Sequence, residues 1–452
     1  MAMKLQFCGG AQTVTGACYY LEINTLHVLV DCGLFQGEHF AESRNEEKFL
    51  FDPREIDYVF LTHAHADHIG RLPKLVDDGF KGIIIATAPT RDLVEVMLAD
   101  SAKVMMYEAQ DHGTKPLYTQ EDVAATMRLF RTENYNQLIE LPEATSVYLR
   151  DSAHILGSCM VEINADDTRI VFTGDLGNPP TPLLANPYSL EHTDYLVMES
   201  VYGDRVHEGG EDRKLKLERL IEDTYTKKGV LIIPAFALER TQELLAELNE
   251  LVEHNRVPAM PIFIDSPLAY HTTEVYKKHI SFFNPDAQAI IRSGDDLFNV
   301  PGLKFTVTRE ESKMINDVPS PKIIITGNPH GYGSRISHHF LRYLSDPRNT
   351  VLFVGYQQPG SIGRKLVEGE KEVRVMDHPI TVNASISHIT GYSSHADQNQ
   401  LRAFLEKLQK PIKTIFVAMG EPPASNAVAQ IIRDEMGVNA VVPQYGAVVE
   451  LD

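Results

Sequence analysis

The sequence has no tryptophan and only four cysteines in 452 residues. Cys8, Cys18, Cys32 and Cys159 show no paired spacing, which excludes a disulfide framework and fits small buried thiols in a reducing compartment. No run of eighteen apolar residues occurs, so no membrane-spanning helix is expected. Met1 to Leu5 lead straight into a strand-like run without a signal-peptide core, and a cytoplasmic protein is expected. Positive charge is scarce. Lys and Arg number 42 against 62 Asp and Glu, for a net charge of −20. A general nucleic-acid binder usually presents a basic face, so this balance argues against tight nonspecific polyanion binding. It leaves a nuclease open, because bound metal and a few local arginines can invert the field at a site. Internal repeats and low-complexity linkers are also missing.

What is present describes an ordinary globular chain, 43% hydrophobic and 23% charged, long enough for two or three domains. The first part alternates short apolar strands with turns: Lys4 to Phe7, Cys18 to Ile23, His27 to Val30 and Tyr58 to Leu61. A long helix is predicted from about Arg91 to Ala109, then strands around Val147 to Arg150, Met160 to Ile163 and Arg169 to Phe172. Strands with interspersed helices predict a sandwich of sheets flanked by helices. After about Val206 the pattern becomes a regular strand–helix alternation: strand Val230 to Ile233, a helix with Leu244, Leu245, Leu248 and Leu251 on one stripe, then strands Pro261 to Ile264, Lys322 to Ile325 and Val351 to Val354. That is the pattern of a parallel α/β domain. Beyond about Val373 the first character returns. The fold class is therefore α/β, one domain inserted into another, with boundaries expected at 1–206, 207–372 and 373–452.

The densest chemistry lies in Thr62-His63-Ala64-His65-Ala66-Asp67-His68, where the apolar strand Tyr58 to Leu61 gives way to a loop. Three imidazoles and a carboxylate in six positions, with no cysteine nearby, suit a pair of zinc ions that keep a place open for water. His63 and His65 alternate with alanine and can point one way to clasp one ion, while Asp67 and His68 turn toward a second. His154 follows a strand in Ser152 to Ser158, and Asp175 ends another in Phe172 to Gly177, where its carboxylate can bridge two cations. Asp31 ends the strand Val28 to Val30 and is assigned to orient a ligand by hydrogen bond. His112, His192, His254, His338 and His339 have no supporting context and read as surface or core histidines.

His63 to His68, with Asp31, His154 and Asp175, resembles the metallo-β-lactamase superfamily. More narrowly, the chain is similar to its β-CASP branch, which includes RNase J and the endonuclease subunit that cleaves pre-mRNA 3′ ends. The likeness runs almost end to end: Leu61 to Pro73, Met198 to Ser200 with Tyr202 to Arg205, Asp265 to Ala269, Asn349 to Tyr356 and Ser393 to Asp397. It implies a metallo-β-lactamase αββα sandwich with an inserted parallel β-CASP domain and two Zn2+ ions. The substrate it implies is RNA, cut by a metal-activated hydroxide positioned by Asp67. Glu199 matches the family's motif A acid and His395 its motif B histidine, placed to protonate the leaving oxygen. A carboxylate beside an imidazole suits it for that work near neutral pH. A homodimer is expected from the likeness alone.

Two places depart from the family pattern. Val417-Ala418-Met419-Gly420-Glu421 puts Met419 where RNA-cleaving members carry a histidine ligand to the second metal. A thioether is a poor zinc ligand beside hard carboxylates, so either the second ion is expected to bind weakly or only one zinc is expected to remain. The segment Gly327 to Arg335 replaces a Ser-Gly-Met loop whose amides hold phosphates. Pro329 removes a donor there. His330 is a candidate ligand or phosphate contact, though a remodelled loop without catalytic role is the preferred reading. A zinc-dependent ribonuclease is the function expected. The alternatives are a catalytically weakened relative that binds RNA or a protein partner, and a nuclease for single-stranded DNA.

Overall fold

In β1 (Met3–Phe7) and β2 (Tyr19–Ile23) buried positions alternate strictly with half-buried ones, as one-sided burial of a pleated strand requires. The computed structural model describes residues 3–37, 43–327, 334–355, 357, 360–409 and 411–452. β3 (Leu26–Val30) completes an antiparallel meander with β1 and β2. The sheet then turns parallel through β4 (Tyr58–Phe60), β5 (Ile83–Ala86) and β6 (Phe130–Thr132). A second sheet starts antiparallel with β7 (Ile139–Leu141), β8 (Thr145–Asp151), β9 (Cys159–Ala165) and β10 (Thr168–Phe172). It too continues in parallel, with β11 (Tyr195–Met198) beside β10.

Three strands form the core of the next stretch of chain, with apolar runs buried on both faces: β12 (Val230–Pro234), β13 (Ile262–Asp265) and β15 (Lys322–Thr326). With β14 (Leu303–Phe305), β16 (Thr350–Phe353) and β19 (Ser385–His388) they form a parallel sheet in the order β14-β13-β15-β12-β16-β19. β17 (Glu372–Val375) and β18 (His378–Thr381) make a separate hairpin. The chain then returns to the second sheet with β20 (Thr414–Val417) beside β11 and β21 (Asn439–Val441) beside β20. Finally β22 (Val448–Leu451) pairs antiparallel with β1 in the first sheet.

The chain divides into two compact units. The first comprises residues up to Pro179, Asn186–Val206 and His395–Asp452. Its inner core is apolar side chains from both sheets, among them Phe7, Val28 and Phe60 from one and Val161, Phe172 and Phe416 from the other. Leu401, Phe404 and Val428, from the helices Gln398–Leu405 and Pro422–Ile431, cover the outer side of the second sheet against Met160, Val171 and Met198. This is the sandwich with flanking helices that the strand pattern predicts. The long helix runs from Ala88 to His112, and Pro89 in its first turn fits the place where the missing N–H is harmless.

The second unit comprises Pro180–Ala185 and His207–Ser394. The expected boundary at 372/373 therefore falls inside it, and the crossing back lies at 394/395. The reason is packing: β19 pairs with β16, and Val373, Val375, Val382 and Ala384 join the core built on Ile232, Ile324 and Phe353. The helix Arg240–Glu253 is buried on nearly every side and takes Glu243 and Glu247 inside with it. Arg213 donates to Glu247 Oε1 through Nε and Nη2 at 3.1 and 2.8 Å, and the Tyr392 hydroxyl donates to Oε2. Burial pushes the Glu243 carboxyl up to about 7, against the lowering effect of the Arg213 charge. No helix among the described residues is long and apolar enough to cross a membrane.

Candidate metal centre

The chemistry-bearing residues of the first unit sit just past the carboxyl ends of its parallel strands: Asp31 after β3, His63 after β4, Asp175 after β10 and Glu199 after β11. The polypeptide is pinned there by backbone bonds. Ala17 N–H donates to Asp67 O at 2.9 Å and Cys32 N–H to His68 O at 2.8 Å, fixing the short helix Ala66–Ile69. Gly33 is required for this approach, because a Cβ on it would lie 1.5 Å from Asp67 O.

Four ligand atoms converge beside that helix. His65 Nδ1 lies 3.1 Å from His63 Nε2 and 3.1 Å from His154 Nε2. Asp175 Oδ2 stands 3.4 Å from His63 Nε2 and 3.4 Å from His154 Nε2. Bonds of about 2.0 Å to a tetrahedral ion place neighbouring ligand atoms about 3.3 Å apart, so the spacing fits a divalent cation. A second group joins Asp67, His68 and Asp175, with His68 Nε2 3.4 Å from Asp175 Oδ1 and 3.7 Å from Asp67 Oδ2. A third joins Asp175, Glu199 and His395, where His395 Nδ1 is 3.4 Å from Glu199 Oε1.

Asp175 belongs to all three groups and is 1% exposed, yet neither of its oxygens has a hydrogen bond among the described residues; nor does His68 Nε2. Buried polar atoms left this way are costly unless a cation satisfies them. The electrostatics agree. Burial pushes the Asp67 carboxyl up to about 6, against the His68 charge, and raises Glu199 despite the facing His395. Burial would raise Asp175 as well, but His68, His395 and His63 hold it well below the usual carboxylate range. Burial and the neighbouring His68 keep His63 neutral, with its lone pair free to bind metal.

Asp31 is the anchor behind this cluster. Oδ1 accepts from Thr62 N at 2.8 Å, and Oδ2 accepts from Thr62 Oγ1 at 2.8 Å and His68 Nδ1 at 2.7 Å. These bonds put the proton of His68 on Nδ1 and turn Nε2 toward the ligand groups. Thr62 also lies 3.1 Å from His63 Nδ1, a role absent from the sequence reading. Its signal was its place directly before the histidine run. Glu199 is held by the amides of Leu176 and Val201, at 2.6 and 3.2 Å. His395 is placed from the backbone: it bridges Gly177, Ala396 N–H donates to Leu176 O, and Asp397 caps the helix Gln398–Leu405 in a capping box with Gln400. Met419 is 2% exposed at φ 43° and packs in the inner core. Its sulfur and the Tyr19 hydroxyl both crowd Gly10. Burial, with the charges of Asp31, Asp175 and Asp67, raises the Tyr19 phenol. His330 lies outside the described residues.

Three family models match the chain: the metallo-β-lactamase superfamily over 12–123, the β-CASP domain over 241–366, and the RNA specificity domain of Zn-dependent metallo-hydrolases over 379–443. A ribonuclease of Thermus thermophilus is 35% identical over 404 residues, covering 89% of this chain and 91% of its own. The chain belongs to the β-CASP family of metallo-β-lactamase proteins. Among other relatives of this β-CASP protein, an RNase J-like protein of Methanocaldococcus jannaschii is 29% identical over 99% of both chains. Transcription termination factor FttA of Methanosarcina mazei is 27% identical over 96% of this chain and 70% of its own. A solved structure of a protein of unknown function from Enterococcus faecalis shares the fold over the whole length of both chains, at 15% identity and a TM-score of 0.59.

Proposed function

We propose that this β-CASP chain is a zinc-dependent phosphodiester hydrolase that cuts RNA. The observation that carries the reading is Asp175, whose two bare, buried oxygens face ligand groups on either side. His63, His65, His154 and Asp175 would hold one ion, and Asp67, His68 and Asp175 a second. Bound there, the metal lowers the pKa of water to make a nucleophile at neutral pH and neutralises charge at the phosphate. Asp67 orients the attacking water. His395, steadied by Glu199, donates a proton to the leaving oxygen. Asp31 keeps His68 in the tautomer that binds metal. Ribonucleases among the relatives support RNA as substrate. The cytoplasm and a homodimer fit the same reading.

A second reading rests on Met419. Its thioether is a poor partner for zinc among carboxylates, which favours a weak second ion and a slow enzyme. The deciding experiment measures metal content and follows labelled single-stranded RNA and DNA with the purified protein. RNA cleavage that chelation abolishes and zinc restores, and that Asp67→Asn and His395→Ala each lower by at least about 100-fold, supports the proposal. A zinc-loaded protein that leaves RNA intact while cutting DNA, or cutting neither, overturns it.

A further inference from the structure

The second unit contains a cavity of about 610 Å³ whose described lining has no carboxylate, in a chain of net charge −20. Arg309 and Lys313 come from the helix Arg309–Met314, and Arg335, His338 and His339 from the helix Arg335–Tyr343. The remaining described lining is serine and asparagine.

The floor of this cavity is rigid. Arg335 Nη1 donates to Asp265 Oδ1 and to Thr306 O, both at 2.7 Å, and Nη2 donates to Val307 O at 2.7 Å. His339 Nε2 binds Asp265 Oδ2 at 2.8 Å. Burial alone would raise the Asp265 carboxyl, but hydrogen bonds from His339, Thr306 and Ser312 outweigh it and hold the group ionised. Three of the five guanidinium N–H groups are thus used. Nε–H and one Nη2–H have no partner among the described residues, on a residue that lines the cavity.

The rim is electrostatically frustrated. Arg309 and Lys313 stand four residues apart on one helix, where like charges repel. Neither makes an ion pair among the described residues, whereas the nearby Glu311 is committed to the amides of Val307 and Thr308. Clustered cations over fixed, unspent guanidinium donors match a tetrahedral oxyanion.

We propose that this cavity binds phosphate groups, carried by a nucleic-acid strand or by a free polyphosphate. It does not rest on the metal-centre reading. The test uses the full chain as purified and two probes: pyrophosphate, and a phosphorothioate-linked single-stranded oligoribonucleotide of about ten nucleotides, which resists cleavage. Both probes can also bind at the metal centre, so the readout is the change in affinity between wild type and variant. The double variant Arg309→Gln, Lys313→Gln is expected to lose at least about tenfold in affinity for one probe or both, with an unchanged melting temperature. Loss for the strand alone assigns the site to strand phosphates. Loss for pyrophosphate alone assigns it to a free ligand. The control variant Lys227→Gln, Lys371→Gln removes two exposed cations of the same unit and is expected to change neither affinity more than about twofold. Unchanged binding in the first variant, or an equal loss in the control, overturns the proposal.

Discussion

Single residues carry unequal weight in the metal centre, and the difference follows from how each is held. Asp31 belongs to none of the ligand groups, yet it receives three hydrogen bonds and sets the tautomer of His68. Asp31→Asn is therefore expected to weaken metal binding by about 10–100-fold with little change in fold, as competition with a graded chelator series measures. Met419 is the opposite case, a buried side chain that offers only a thioether. Met419→His is expected to tighten the more weakly held ion by about tenfold and to raise hydrolysis with it; equal zinc titrations for both proteins would rule that out. His63 to His68, His154 and Asp175 were legible because each group follows a strand in an otherwise apolar run, whereas Glu199 and His395 came from the family resemblance. Thr62 was not, since a threonine after a strand is commonplace and its partner Asp31 lies 31 residues away. His339 was likewise read as an ordinary histidine, because its partner Asp265 is 74 residues away.

At the level of elements, the centre depends on a helix of only four residues, Ala66–Ile69, too short to be stable alone. It persists because the loops after β1 and β3 grip its carbonyls. Gly33→Ala would drive a methyl into the backbone oxygen of Asp67. It is expected to cost about 1–3 kcal/mol or more of stability and to lower metal affinity in parallel, both read by chelator-controlled urea unfolding. Strand and helix positions followed from periodicity to within a turn, as with the helix read from Arg91 and found from Ala88. The segment 373–394 did not. Its strands are short and partly polar, and their allegiance is decided by pairing with β16, a distant partner that local pattern cannot reveal.

For the molecule as a whole, stability is expected to answer to metal and to pH through different residues. Chelation leaves Asp175 and Glu199 buried, and Asp67 half-buried, without a bound cation, and a ligand present at a thousandfold its dissociation constant stabilises by about 4 kcal/mol. Removing tightly bound metal should thus lower the melting temperature of the first unit, as calorimetry with and without chelator records. In the second unit, Glu243 binds its proton more tightly folded, at about 7, than unfolded, near 4.5. Folded protein then holds more protons between those values, so its contribution is full below pH 4.5 and is lost as pH rises toward 7. Glu243→Gln is expected to gain stability relative to wild type by up to roughly 3 kcal/mol between pH 4.5 and 8, measured as the difference between paired urea transitions. One last consequence comes from β22, which closes the first sheet by lying against β1. On a translating ribosome, β1 waits through more than four hundred residues for this neighbour, while His207–Ser394 can finish folding first. His395 follows that whole segment, so a nascent chain cannot hold a complete hydrolytic centre until residue 395 has emerged.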